Sequence, residues 1–274
     1  MEQDLRTLCR ILRRDILTMI HAAGSGHPGG SLSAVEILAT LYFNVMRIDP
    51  AHPDDPDRDR FLLSKGHAAP VLYSTLARRG FFDPALLPTL RQLGSPLQGH
   101  PHMSSLPGLD CSSGSLGQGL SIAGGLALAA RKTGRSYRTY CVLGDGEVQE
   151  GQIWEAAMTA AQLGLDNLCA IVDDNGVQLD GPTDEICRVE PLDDKFRAFG
   201  WHVISADGHD TDALRNAFRE AAGVKGAPTV IIARCVKGKG VSFMENQCAW
   251  HGKAPNKEEL AAALAEVEGE SIHG

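Results

Sequence analysis

The stretch from Tyr137 to Val177 leaves this chain few folds to choose from. Tyr137-Arg138-Thr139-Tyr140-Cys141-Val142-Leu143 is a short, largely apolar run rich in strand formers, and it stops at Gly144. Gln152 to Leu163 then has helical spacing, with Ile153, Ala156, Ala157, Ala160 and Leu163 on one face. A second apolar run, Leu168-Cys169-Ala170-Ile171-Val172, ends in Asp173-Asp174-Asn175. Strand, acidic turn, helix, strand and acidic turn make a βαβ unit, the connection that parallel strands require. Ligands of an open parallel sheet bind outside the carboxyl ends of its strands. Asp145 and Asn175, 30 positions apart, are therefore expected to meet over one edge of the sheet.

That pair is specific about an ion. A carboxylate, an amide oxygen and a backbone carbonyl are all hard oxygen ligands. They suit Mg²⁺, which keeps a few protein ligands and completes its octahedron with water and phosphate oxygens. Gly144 and Gly146, on either side of Asp145, permit a sharp turn and a close approach of backbone to ligand. Alone, Gly-Asp-Gly reads more readily as a tight turn after a strand. The Asp-Asn run at the next strand end is what gives it weight.

The remaining chain extends the pattern. Leu5, Leu8, Leu12, Ile16, Met19 and Ile20 form the apolar stripe of an opening helix, flanked by arginines 6, 10, 13 and 14. Ser33-Ala34-Val35-Glu36 reads as a capping box for a second helix to about Val45. Asp49 to Arg60 is a charged, proline-punctuated loop, and Phe61-Leu62-Leu63-Ser64 a strand with Lys65-Gly66-His67 at its carboxyl end. Helices are expected over Ala68–Arg79 and Pro84–Leu93. Gly94 to Gly119 contains 15 Gly, Pro or Ser among 26 residues and reads as a long loop closing over a ligand, followed by an apolar helix to Ala130. Further on come a loop over 177–184, a helix over Pro191–Phe199, a strand at Val203-Ile204-Ser205 and a helix to Ala222 capped by Thr211-Asp212. Thr229–Ala233 is a strand, with Lys237-Gly238-Lys239-Gly240 past its carboxyl end, and the tail over 256–268 is a capped amphipathic helix. Alternating strands and helices give an α/β fold, a parallel sheet with helices on both faces, as one domain over 1–274.

Composition bounds the function. The net charge of −8 argues against nucleic acid or an anionic membrane surface as partner, so an anionic substrate needs a locally positive pocket. No apolar run approaches membrane-spanning length, and Met1-Glu2-Gln3-Asp4 is not a secretory start. Seven cysteines without a Cys-x-x-Cys read as reduced thiols of a cytoplasmic protein, with Cys141 and Cys169 as small hydrophobes inside strands. Among the ten histidines, His27, His67, His100 and His251 each adjoin a glycine in a loop, which helps an imidazole project into a site. His209 also follows a glycine, so the feature alone does not decide; it and His21, His52, His102, His202 and His273 are read as surface or packing residues.

Gly144-Asp145-Gly146 with Asp174-Asn175 resembles the signature of thiamine-diphosphate enzymes. The segments Ser25-Gly26-His27-Pro28-Gly29-Gly30, Ser64-Lys65-Gly66-His67-Ala68-Ala69, Gln98-Gly99-His100-Pro101, Gly114-Ser115-Leu116-Gly117-Gln118-Gly119 and Trp250-His251-Gly252 narrow it. In that order, from about Leu5 to Gly252, they resemble the diphosphate-binding half of a transketolase. His100-Pro101 and Trp250-His251-Gly252 favour this over a deoxyxylulose-phosphate synthase or an oxo-acid dehydrogenase subunit. A non-catalytic homologue would not require Asp145, Asn175 and all four histidines together.

The resemblance implies ketose cleavage at a thiazolium carbanion and transfer of a two-carbon unit to an aldose, with sugars or sugar phosphates as substrates. It implies thiamine diphosphate and Mg²⁺ (Ca²⁺ or Mn²⁺ as substitutes), the metal held by Asp145, Asn175 and the carbonyl of Val177. His27, His67, His100 and His251 would contact sugar hydroxyls or the diphosphate, with Gly114, Ser115, Leu116, Gly144 and Gly146 lining the cofactor. Glu150 matches an acidic residue that communicates between paired sites; from its neighbours it reads equally as a solvated helix-start carboxylate, and Lys65 as a salt-bridged surface lysine. One departure is Asp174, where the pattern usually has a second asparagine. Another is that no pyrimidine-binding domain follows, so the resemblance is to the N-terminal subunit of a split enzyme. Its partner would be a C-terminal subunit carrying the pyrimidine-activating glutamate, two copies of each chain assembling together.

Overall fold

The computed structural model describes residues 4–269. Its centre is a sheet of five strands, β1 (Arg60–Leu63), β2 (Thr139–Gly144), β3 (Leu168–Asp174), β4 (His202–Asp207) and β5 (Thr229–Arg234). They lie in the order β1-β2-β3-β5-β4, and every neighbouring pair is parallel. The helices are α1 (Leu5–Ala23), α2 (Pro28–Ser33), α3 (Val35–Thr40), α4 (Ala69–Arg79), α5 (Gly119–Lys132), α6 (Gly151–Gln162), α7 (Thr183–Ile186), α8 (Leu192–Ala198), α9 (Thr211–Gly223) and α10 (Lys257–Gly269). The predicted α/β architecture is the one observed.

Strand periodicity divides the core into two layers. Phe61, Leu63, Tyr140, Val142, Cys169, Ile171, Ile231 and Ala233 face a layer built from α1, α3, α4 and α9, with α10 laid over α1. Their alternates Leu62, Cys141, Leu143, Leu168, Ala170, Val172, Val230 and Ile232 face α5, α6 and α8. Because both faces are covered, the strands read as unbroken apolar runs rather than as alternating ones. Each large side chain so buried contributes about 1.5–3 kcal/mol. All six apolar residues predicted for the α1 stripe are buried, but so is Arg13, which pairs with Glu36 instead of lying on a flank.

Several local expectations fail for tertiary reasons. Ser33 and Glu36 do not cap a helix: α2 and α3 meet at Ala34 with no side-chain cap, and a π-helical turn over Leu41–Val45 finishes the segment. The Ser33 hydroxyl donates to Asp173, 140 residues away in sequence, and the Glu36 carboxylate takes Arg13 and His209. Pro84–Leu93 is not an α-helix; it is a 3₁₀ segment ending at Thr89, with Pro88 inside it removing a donor. The cap of α9 is Asp210, one residue ahead of the predicted pair. Asp59, in the charged loop, is buried against the Arg47 and Arg138 backbone N–H groups. At α10 the capping box is real, Asn256 and Glu259 exchanging hydrogen bonds of 2.8 Å.

The long segment 94–118 has no regular structure, as composition predicts, yet it is anchored. Leu97, Leu106 and Leu109 enter the core, and Asp110 ion-pairs with Arg58 at 2.6 Å. Gly117 and Gly119 permit its close passage: a Cβ would meet Glu150 at 2.6 Å or Ser64 at 2.3 Å. The loop thus ends pressed against the turns that follow β1 and β2.

Candidate active site

The carboxyl ends of the strands converge on one cavity of about 320 Å³. The turn after β1 supplies Lys65 and His67, the turn after β2 Gly144 to Glu150, and the end of β3 Asn175 to Leu179. Lys237 from the loop after β5, His251, Gly30 and Leu116 complete the lining. Among the predicted residues, Asp145, Asn175, Val177, His67, His251, Glu150, Leu116, Gly144 and Gly146 therefore share one wall-to-wall space.

The four glycine-adjacent histidines meet. His27 lies with its ring centroid 5.3 Å from His67, 5.5 Å from His251 and 6.3 Å from His100, while His67 and His251 stack at 4.9 Å. Gly114 stands against His100, where a Cβ would touch the ring at 3.3 Å; Ser115 is exposed and outside the cavity lining. The other histidines go elsewhere: His21 to the Pro255 carbonyl, His52 to Asp49, His202 to Glu220, while His273 lies outside the described residues. For His209 the packing reading holds, since it bridges Glu36 and the Val236 backbone.

The cluster is held neutral. Burial, then Arg91, His100 and Lys237, lower His27 to about 4. Burial, Lys237 and His27 lower His251 to about 3, and burial with Lys65 takes His67 well below its usual range. His100 is lowered by burial and Arg91. Lys237 Nζ donates to His251 Nδ1 at 3.0 Å, so the His251 ring carries its proton on Nε2. Neutral imidazoles each offer one donor and one acceptor, which suits hydroxyl-bearing ligands.

At the end of β2, each Asp145 carboxylate oxygen accepts one backbone N–H, from Gly146 at 2.8 Å and Gly176 at 2.5 Å. Burial and the charge of Asp173 still raise it to about 7. A buried carboxylate so poorly compensated fits a bound cation. Asn175 is oriented by Asp173, which accepts its Nδ2 at 3.1 Å, and its Oδ1 accepts the Val177 N–H at 3.2 Å. The Val177 carbonyl already receives a positive group, Lys237 Nζ at 2.8 Å. Among the described residues no three His, Cys, Asp or Glu side chains group to hold a metal, so a cation here would depend on amide and carbonyl oxygens.

Beneath this wall lies a buried ion pair. Lys65 is bound to Asp173 and donates to the Gly30 carbonyl at 2.9 Å, with only 2% and 0% of the two side chains exposed. Of the two readings of Lys65, the salt bridge is present but is not at the surface. Burial opposes the Asp173 charge, yet Lys65, Ser33 and Asn175 bring its pKa below the usual carboxylate value. Asp174 turns away from the cavity, to Arg234 on the neighbouring strand, which also holds Glu190. Glu150 is exposed at the cavity rim, at the N-cap position of α6 but with no side-chain cap hydrogen bond.

Glu147 and Lys237 are among the lining residues that escaped sequence reasoning. Glu147 is buried and accepts from Ser64, Gly117 and Gly144, tying the long loop to the β2 turn, and burial raises its pKa. Lys237 brings a second cation beside Lys65; burial and Lys65 lower it to about 8. Its position past the carboxyl end of a predicted strand was the available signal. Because Lys65 is already matched by Asp173, Lys237 is the cation that gives this cavity the local positive charge that a chain of net charge −8 needs to hold an anion.

Known proteins agree with this geometry. The family model described as transketolase, thiamine diphosphate binding domain, matches residues 1–269. The 6-deoxy-6-sulfo-D-fructose transketolase subunit SqwG of Clostridium sp. (strain MSTE9) is 48% identical, over 97% of each chain. An apulose-4-phosphate transketolase subunit of Phocaeicola vulgatus is 41% identical, over 93% of this chain and 90% of that one. The solved transketolase of Leishmania mexicana superposes with a TM-score of 0.91 at 32% identity, covering 98% of this chain and 42% of that chain. The chain belongs to the transketolase family and is its thiamine-diphosphate-binding part.

Proposed function

We propose that the chain is the diphosphate- and Mg²⁺-binding subunit of a two-subunit transketolase, and that it acts on a ketose bearing an anionic group at its far end. The carrying observation is one cavity in which the neutral His67 and His251, both in ring contact with His27, which also meets His100, stand beside an undercompensated buried carboxylate, Asp145. Mg²⁺ would be held by Asp145, Asn175 and the Val177 carbonyl, and the remaining diphosphate charge offset by Lys237. Thiamine diphosphate, when bound, supplies the electron sink that lets the bond beside a ketose carbonyl break.

The chain's own residues do the rest. His27, His67, His100 and His251 orient the hydroxyls of donor and acceptor, and a neutral ring can relay a hydroxyl proton, accepting it on its free nitrogen as the other nitrogen releases its own, so that no net charge builds up in the cavity. Leu116, with Gly114 and Ser115 in the same loop, covers the thiazolium side, and Gly144 and Gly146 let the backbone approach the diphosphate. Glu150 sits at the rim, where contact with a second site is open to it. The chain works as a single domain, and its seven free thiols support a reducing, cytoplasmic setting.

The partner would be a subunit carrying the pyrimidine-binding domain, in an assembly of two copies of each chain. This rests on the full-length likeness to relatives named as subunits. Their substrates, a sulfonated and a phosphorylated ketose, support an anionic donor here. A donor screen on the reconstituted pair tests the reading: 6-deoxy-6-sulfofructose or apulose 4-phosphate should outrun their uncharged counterparts. Equal turnover of uncharged ketoses would overturn the anionic donor.

A further inference from the structure

A second polar cluster lies past the carboxyl end of β4. Glu36, on α3, is buried and gripped by Arg13, with Nη1 2.7 Å from Oε1 and Nη2 3.0 Å from Oε2. The His209 ring meets the same carboxylate, Nδ1 lying 3.0 Å from Oε2. Its other nitrogen, Nε2, accepts the Val236 backbone N–H at 2.8 Å. An accepting ring nitrogen carries no proton, so the proton of His209 sits on Nδ1 and points at Glu36. Burial opposes the charge of Glu36, but Arg13 and His209 hold it down to about 2.

Arg13 reaches the same chain segment from its other end. Its Nε donates to the Lys239 carbonyl at 3.0 Å. Gly240 accommodates that approach: its φ is +90°, and a Cβ would stand 2.8 Å from Arg13 Nε. One buried carboxylate thus anchors two hydrogen bonds, at Val236 and at Lys239, and Lys237 lies between them. The Lys237 backbone has a further tie, its carbonyl accepting from Asn246 at 2.9 Å, and Gly238 donates to Gly29 at 3.0 Å. A lysine stem is flexible and its ammonium strongly hydrated, so a buried lysine holds its place only if its backbone is fixed. Lys237 is 2% exposed, with its Nζ on the Val177 carbonyl and His251.

We propose that the Glu36–Arg13–His209 cluster is a positioning device for Lys237, with His209 as the positioning residue that carries the Val236 end of the clamp into the anion-binding cavity. This rests on the reading of Lys237 as part of the diphosphate site. His209 is not part of the cavity lining and acts only through the 236–239 segment. An amide side chain can reproduce both of its hydrogen bonds, N–H to Glu36 and an acceptor to Val236; an alanine reproduces neither.

The test is a double-mutant cycle on the full chain, reading the affinity for inorganic pyrophosphate with Mg²⁺ by calorimetry alongside the melting temperature. The variants are His209→Ala, His209→Gln, Lys237→Met and His209→Ala with Lys237→Met. His209→Ala should weaken binding about tenfold when Lys237 is present and less than about twofold when it is methionine, since residues acting through one another do not add. His209→Gln should recover most of the loss. An equal factor in both backgrounds, or no loss in either, overturns the proposal, as does a glutamine variant that binds like the alanine one. If Lys237→Met alone binds as the natural chain does, the reading of Lys237 in the diphosphate site fails first, a result distinct from the others.

Discussion

Replacing Lys65 with methionine removes the cation of the ion pair beneath the cavity and keeps most of the stem. Asp173 is then left fully buried with two donors, the Ser33 hydroxyl at 2.5 Å and the Asn175 amide at 3.1 Å. Breaking a buried pair by removing one partner costs about 3–5 kcal/mol. The two remaining hydrogen bonds are already present in the intact protein, so they offset none of the loss. Against a typical total of about 5–15 kcal/mol, the variant should be markedly less stable. Urea denaturation followed by tryptophan fluorescence measures it, with Arg135→Met as control. Arg135 pairs with Asp57 at the surface, where the side chains are 36% and 62% exposed, and such a pair is worth about 0–1 kcal/mol. Adding Asp173→Asn to Lys65→Met should restore most of the stability, because the uncompensated charge is gone. A Lys65→Met loss no larger than the control's, or no recovery on adding Asp173→Asn, would refute the reasoning.

Other outcomes follow from the same geometry. His27→Ala and His100→Ala should lower turnover by about 10²-fold or more, the scale of positioned proton transfer, with cofactor binding less affected; His202→Ala, whose ring pairs with Glu220 away from the cavity, should not, and equal kinetic losses in all three would mean that histidine loss acts through stability. Because His27 is lowered to about 4 from an ordinary 6.5, the folded chain binds that proton less tightly than the unfolded chain. Its share of stability is therefore present above about pH 6.5 and lost as pH falls towards 4. Melting temperatures between pH 7.5 and pH 4.5 should fall less steeply for His27→Gln, and parallel profiles would count against the depressed value.

Much of the fold could be read because a parallel sheet covered on both faces writes its strands as apolar runs. β2, β3 and β5 appear in the sequence almost at their observed limits. The site was legible where chemistry sits at strand ends: Asp145, Asn175 and His67 share one region because β1, β2 and β3 lie side by side. What sequence missed depends on distant partners. Ser33 looked like a cap, and only the fold brings Asp173 to its hydroxyl. Arg13 looked like a flank charge, and only α3 shows that it is paired in the interior. Asp174 reads in sequence only as a carboxylate where the pattern has an asparagine, and its β5 neighbour in register, Arg234, is what turns it away from the cavity. Lys237 lies 60 residues from the carbonyl it touches, so no local pattern could give its role.

The central claim is that Asp145 is a charged ligand whose cation ties down a diphosphate. Titrating thiamine diphosphate into the reconstituted pair, with Mg²⁺ and then with a chelator, for the natural chain and for Asp145→Ala, tests it most directly. Binding to the natural chain should fall at least about tenfold when the metal is removed, the scale on which metal sites respond to disruption. The alanine variant should bind weakly under both conditions while its melting curve shows a folded protein. Thiamine diphosphate held as tightly by Asp145→Ala as by the natural chain, with Mg²⁺ limiting, would contradict the account.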